Sequence, residues 1–166
     1  MSGADSFVTE AFNGMKITIR EAKEEEASQL TRIAIASKKY WNYPDAWFEL
    51  WSDTFEITSE TIRKYKIWVA EENKQPIGFI GVSLGDGKAE LEHLWVLPEF
   101  FNKGVGRSLF DTVVEYCRRK RISQIRIESD PNAKAFYEKM GARHVGFVES
   151  KPESRKLPVL VLKLDS

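Results

Sequence analysis

From Lys16 to Leu164 the chain alternates short β-branched runs with stretches of helical periodicity. "KITIR" places Ile17 and Ile19 at period two, which predicts a strand. From Glu24 to about Ser37, Ala27, Leu30, Ile33 and Ala34 recur at helical spacing and predict an amphipathic helix. The aromatic stretch "YWNYPDAWFELW" follows, and "TSETIRKY" then predicts a short helix capped by Thr58 or Ser59. "KIWVAEE" and "QPIGFIGVSL" predict two strands joined at Asn73 and Lys74, and a turn at Gly85 to Gly87 leads into "KAELEHLWV". After a loop with two glycines, Val105, Leu109, Val113 and Tyr116 mark one face of a helix that Phe110, Val114 and Cys117 widen. "QIRIES" predicts a strand, "NAKAFYEKM" a helix ended by Gly141, and "HVGFVES" and "PVLVLKL" the closing strands.

Strand, helix, strand from Leu91 to Glu128 implies a parallel pair joined by a right-handed crossover, whereas the leading strands pattern as antiparallel. The fold class is therefore α/β with a mixed, mostly antiparallel sheet and helices on both faces. A chain of 166 residues, 42% hydrophobic, is long enough for one buried core, so residues 15–166 are expected to form a single domain. Met15 opens the first strand pattern, and residues 1–14 are expected to be a flexible extension.

Twenty-five basic side chains balance twenty-five acidic ones, so no global field draws the chain to nucleic acid or to an anionic membrane. The basic run Cys117 to Arg121 falls where a helix should end, and there cations complement the helix dipole. One cysteine makes no internal disulfide, and Cys117 with His93 and His144 has no zinc spacing, so no metal is expected. The first fourteen residues lack the basic start and apolar run of a secretory signal, and no segment has the length to cross a bilayer, so a cytoplasmic home is expected.

The glycine loop "FNKGVGRSLF" is the informative motif. Glycine lets a backbone approach a ligand closely, and the first amides of a helix point partial positive charge outward, which together suit a phosphate. A nucleoside-triphosphate loop would need GxxxxGK followed by Ser or Thr, which is absent. A dinucleotide fingerprint would need a third glycine where Leu109 stands, after the first strand rather than the fourth. A tight turn into a helix is the plainer alternative.

Val96 and Pro98 at a strand end, then Gly104, Val105 and Gly106, then Asn132, Ala135, Tyr137 and Gly141, together resemble the GNAT superfamily of N-acetyltransferases over about residues 90–147. The resemblance implies a sheet whose one parallel strand pair splays apart, with acetyl-CoA as co-substrate. It implies a diphosphate held by the backbone of Lys103, Gly104, Val105, Gly106 and Arg107, and a pantetheine arm paired with the backbone of Leu94, Trp95 and Val96. Asn132 would be a polar contact to that arm, and Tyr137 the general acid. Three positions depart from the pattern: Phe101 replaces Arg or Gln, Asn102 replaces a frequent Gly, and Ala142 replaces a common Phe. Asn tolerates left-handed backbone angles, so the loop shape is expected to survive.

Acetyl transfer to an amine requires a neutral amine, a stabilised oxyanion and a protonated leaving thiolate. An alkylammonium with pKa near 10.4 costs about 4 to 5 kcal/mol to deprotonate at pH 7, so a base or a water relay should help. Glu92 and Glu128, on the two parting strands, are the candidate bases, with Glu90 third and the absence of any direct side-chain base as the alternative. The Tyr137 hydroxyl stays protonated at pH 7 and can donate to the thiolate, unless the ring is merely packed beside Phe136. Trp41, Tyr43 and Trp47 are candidate acceptor contacts, since aromatic faces bind cations, although Trp47, Phe48 and Trp51 share a helical spacing that suits a core equally. Glu49 and Asp53 could attract an amine, and His93 points to the face opposite Glu92.

The expected function is transfer of an acetyl group to a primary amine of a small molecule, with no nucleic-acid or membrane partner and with a homodimer left open. The alternatives are a coenzyme A-binding module without turnover, acetylation of a protein N-terminus or lysine, and an interaction protein that uses the aromatic segment.

Overall fold

The computed structural model describes residues 7–10 and 16–164. The expectation of a flexible extension over residues 1–14 falls outside them apart from residues 7–10, which form a strand, β1 (Phe7–Glu10), paired antiparallel with β2 (Lys16–Glu21). The described residues divide into two compact units, one made of those up to 82 with 93–113 and the other of 83–92 with those from 114 on.

In the first unit β2 is followed by helices α1 (Ala27–Lys39), α2 (Asp45–Leu50), α3 (Ser52–Phe55) and α4 (Ser59–Lys64). Thr58 caps α4 as expected, its hydroxyl accepting from the Thr61 N–H at 3.1 Å. Strands β3 (Lys66–Glu72) and β4 (Gln75–Gly85) continue the antiparallel order β1-β2-β3-β4. The predicted apolar positions meet in one cluster: Leu30, Ile33 and Ala34 of α1 pack with Trp51, Phe55, Ile67, Val69 and Phe79.

Strand β5 (Lys88–Val96) belongs to both units, as does helix α5 (Val105–Arg119). The predicted face of α5 is the buried one, with Val105, Leu109, Phe110, Val113 and Cys117 enclosed. Arg118 and Arg119 occupy its last turn, which accounts for the basic run. Burial pushes the Cys117 thiol up to about 11, so it packs rather than reacts.

In the second unit β6 (Gln124–Glu128), helix α6 (Lys134–Lys139), β7 (Arg143–Ser150) and β8 (Arg155–Lys163) follow. The strand order is β5-β6-β8-β7, and β5 with β6 is the expected parallel pair. Among the described residues that parallel ladder is carried by Ala89↔Ile125 and Glu90↔Arg126, at the start of both strands. Gly141, at φ 103°, ends α6 in the left-handed region that glycine adopts without steric cost. No helix among the described residues is long and apolar enough to cross a membrane.

Candidate active site

The glycine loop folds as its composition demands. A 3-10 turn at Pro98–Phe100 delivers Phe101, and Asn102 (φ 61°) and Gly104 (φ 83°) then both take left-handed angles around Lys103. The Asn that replaces a frequent Gly thus accommodates the bend, as expected. Ser108 N–H donates to Gly104 O at 3.0 Å, the opening bond of the α5 ladder. The amides of Val105, Gly106 and Arg107 precede that ladder and have no carbonyl four residues back within the helix. They stand at the positive end of a fifteen-residue helix, and residues 100–110 carry Lys103 and Arg107, with Glu99 and Asp111 flanking them. Donors, dipole and local charge all fit a phosphate group.

Leu94, Trp95 and Val96 end β5 in the same unit. Leu97 N–H donates to Ile77 O at 2.9 Å, and a Cβ built on Gly78 would lie 2.9 Å from Trp95 O. Gly78 is therefore a residue that sequence reasoning missed: only the absence of a side chain lets β4 run this close to the backbone expected to hold the arm. Its sole signal was a glycine inside an otherwise β-branched run. The Trp95 indole N–H donates to His93 Nδ1 at 3.1 Å, which leaves the imidazole proton on Nε2. Burial beside Phe79 pushes His93 down to about 4, so it is a neutral packed histidine at pH 7.

The aromatic segment splits in two. Tyr43, Trp47 and Trp51 form a box with centroids 5.4 to 5.8 Å apart. A cation does sit against it, but it is the chain's own Lys38, whose Nζ lies 4.7 Å from the Tyr43 centroid and 4.8 Å from that of Trp51. Lys38 and Trp51 are buried, so this box joins the C-terminal turn of α1 to the core. Tyr40 and Trp41 instead lie about half-exposed against Phe101, with ring centroids at 4.9 and 6.4 Å. Glu49 and Asp53 line an open groove of about 490 Å³ with Phe48, Phe55 and Glu56.

The second unit holds the remaining candidates. Glu92 is half-buried and accepts a hydrogen bond from Ser83 Oγ at 2.7 Å, a partner that sequence reasoning missed because it lies across a hairpin. Glu128 is exposed, and Arg126 NH1 binds both it, at 2.5 Å, and Glu90, at 2.7 Å. Those two carboxylates thus share one guanidinium, while Glu92 has a neutral hydroxyl partner.

Asp130 caps the turn before α6 and accepts from both the backbone N–H (2.8 Å) and the side-chain amide (2.9 Å) of Asn132. Its charge also acts on Tyr137, making Asp130 a link between two predicted residues that only an N-cap signal, Asp before Pro-Asn, announced. Tyr137 is buried, in edge contact with Phe136 at 5.2 Å. Burial first, and the Asp130 charge second, raise its phenol well above the ordinary tyrosine value. Among the described residues no group of three or more His, Cys, Asp or Glu side chains could hold a metal ion.

Several known proteins are similar to this chain in sequence or fold. The uncharacterized N-acetyltransferase YafP of Escherichia coli (strain K12) is 28% identical over 137 residues, 78% of this chain and 83% of that protein. Human N-acetyltransferase 8 is 27% identical over 123 residues, 68% of this chain and 53% of the relative, so the match spans about half of the human protein. Among solved structures, the PaiA N-acetyltransferase of Thermoplasma acidophilum in complex with coenzyme A superposes with a TM-score of 0.75 at 24% identity, covering 90% of this chain and 99% of that one. The ribosomal-protein-S18-alanine N-acetyltransferase of Escherichia coli superposes at 0.69 with 15% identity, over 90% and 95% of the two chains. The family model for the acetyltransferase (GNAT) family matches residues 29–142, and with the loop, the parallel pair and the strand order this places the chain in the acetyltransferase (GNAT) family of N-acetyltransferases.

Proposed function

We propose that the chain moves an acetyl group from acetyl-CoA to a primary amine of a small molecule by direct transfer. The observation that carries this reading is the turn at Asn102 and Gly104, which opens α5 with three amides ahead of its hydrogen-bond ladder and with Lys103 and Arg107 beside them in sequence. The Thermoplasma relative, solved with coenzyme A, supports the choice of donor. When bound, the donor supplies an acyl group activated as a thioester. The backbone of residues 103–107 holds its diphosphate, and the backbone of Leu94, Trp95 and Val96 aligns its arm.

Glu92 takes the proton of the incoming ammonium, directly or through water, because its carboxylate answers to a hydroxyl and not to a cation. As the C–N bond forms and the C–S bond breaks, Tyr137 gives its proton to the sulfur, and the second proton that the nitrogen sheds passes through water and restores the phenol. Burial keeps that phenol protonated at neutral pH, the state an acid requires. Asn132, held by Asp130, contributes a polar contact to the arm.

The test is thiol release from acetyl-CoA by the purified chain across a panel of small amines and of peptides with free N-termini or lysines. Release with a small amine supports the proposal, and release with peptides alone transfers the acceptor role to proteins. Thermal stabilisation by acetyl-CoA with no release overturns turnover and leaves a binding module.

A further inference from the structure

We propose that Phe101 is a positioning residue that couples the acyl-donor loop to the amine side of the site through Tyr40 and Trp41, an inference that rests on the functional reading above. Phe101 is one of the positions at which the loop departs from the pattern of the family resemblance, and it offers no polar side chain to an anion. What it makes instead is a three-ring contact. Tyr40 meets it edge-on at 4.9 Å, Trp41 stacks on it at 6.4 Å, and Tyr40 and Trp41 meet each other edge-on at 4.8 Å.

These rings remain 53% and 42% exposed at Tyr40 and Trp41, so they are not core. Their exposed faces adjoin one another and Phe101.

The two ends of the contact lie on separate segments of the same unit. On one side α1 winds down through Tyr40 N–H to Ser37 O and Trp41 N–H to Lys38 O, and Asn42 (φ 57°) then reverses the chain. Just behind, Lys38 in the Tyr43 and Trp51 box anchors that segment to the core. On the other side Phe101 directly precedes the left-handed Asn102, the residue whose angle sets the loop that meets the diphosphate. An anion held by the loop would therefore act on the Phe101 ring, and the ring on the α1–α2 segment against which an acceptor would rest. Linkage makes the effect reciprocal, so each ligand tightens the other by the same factor.

Ring pairs of this kind set the scale of that factor at about tenfold. The experiment measures amine KM at saturating acetyl-CoA, coenzyme A affinity, and trypsin cleavage after Lys39 with and without coenzyme A. Expected are coenzyme A protection at Lys39 in the wild type and, for Phe101→Ala, loss of that protection, an amine KM raised about tenfold, and kcat and coenzyme A affinity within about twofold. Phe101→Trp should restore both, and Tyr40→Ala, which removes the edge contact with Phe101, should reproduce the defect should Phe101→Ala fold poorly. A Phe101→Ala effect confined to coenzyme A affinity overturns the coupling. Binding of coenzyme A by the wild type without protection at Lys39 overturns the coupling alone, whereas no binding at all sinks the functional reading and the coupling together.

Discussion

His93 offers a quantitative test of the packing behind β5. Its Nδ1 accepts from the Trp95 indole and its ring lies against Phe79, and burial lowers its pKa from the ordinary 6.5 to about 4. Protonation would place a proton on the acceptor nitrogen and set two donors face to face. In the unfolded chain the imidazole takes up a proton as pH falls through 6.5, while in the folded chain it stays neutral until about 4. The folded-state pKa is depressed, so the stability it contributes is present above 6.5 and is lost as pH falls toward 4. Between pH 7 and pH 5 that loss is at most about 2 kcal/mol, an upper figure because the ring is only partly buried. His93→Asn keeps an acceptor for the indole but does not titrate. Urea unfolding of both proteins at pH 7 and pH 5 should show the wild type losing more stability than the variant by up to about that amount. Equal losses in the two proteins would refute the reasoning, and an imidazole titration followed by NMR should place the midpoint well below 6.5.

Three further outcomes are expected. Tyr137→Phe should lower kcat on the order of a hundredfold with coenzyme A affinity nearly unchanged, measured by thiol release and by calorimetry. Glu92→Gln should lower turnover at neutral pH while Glu128→Gln leaves it within about threefold, because Glu128 is exposed and paired with Arg126, and such surface pairs contribute about 1 kcal/mol or less. A reversed order in the same assay would move the base to Glu128. Gly104→Val places a β-branched side chain at φ 83°, so coenzyme A affinity in calorimetry should fall at least about tenfold, with about 1 to 2 kcal/mol of strain visible as a lower Tm.

Much of this was legible without coordinates. The period-two isoleucines at Ile17 and Ile19, the α5 face at Val105, Leu109 and Val113, and the Gly141 stop all appear where local pattern predicted. Each depends only on side-chain spacing or on the steric freedom of a single residue. The glycine loop was legible for the same reason: left-handed angles at residues 102 and 104 are a property of Asn and Gly before anything packs on them.

What the sequence by itself determined, then, was most of the series of elements, the family pattern and the turn of the glycine loop. Tertiary structure decided who meets whom across long separations. Lys38 closing on Tyr43 and Trp51, Ser83 reaching Glu92, Arg126 gathering Glu90 and Glu128, and Phe101 meeting Tyr40 and Trp41 are pairings between segments with no local signal to each other. The strand β1 belongs with them, since four residues become a strand through the ladder that β2 provides. Local pattern reports a backbone preference and a buried face, whereas a partner is chosen by burial and hydrogen bonding once the chain has closed around it.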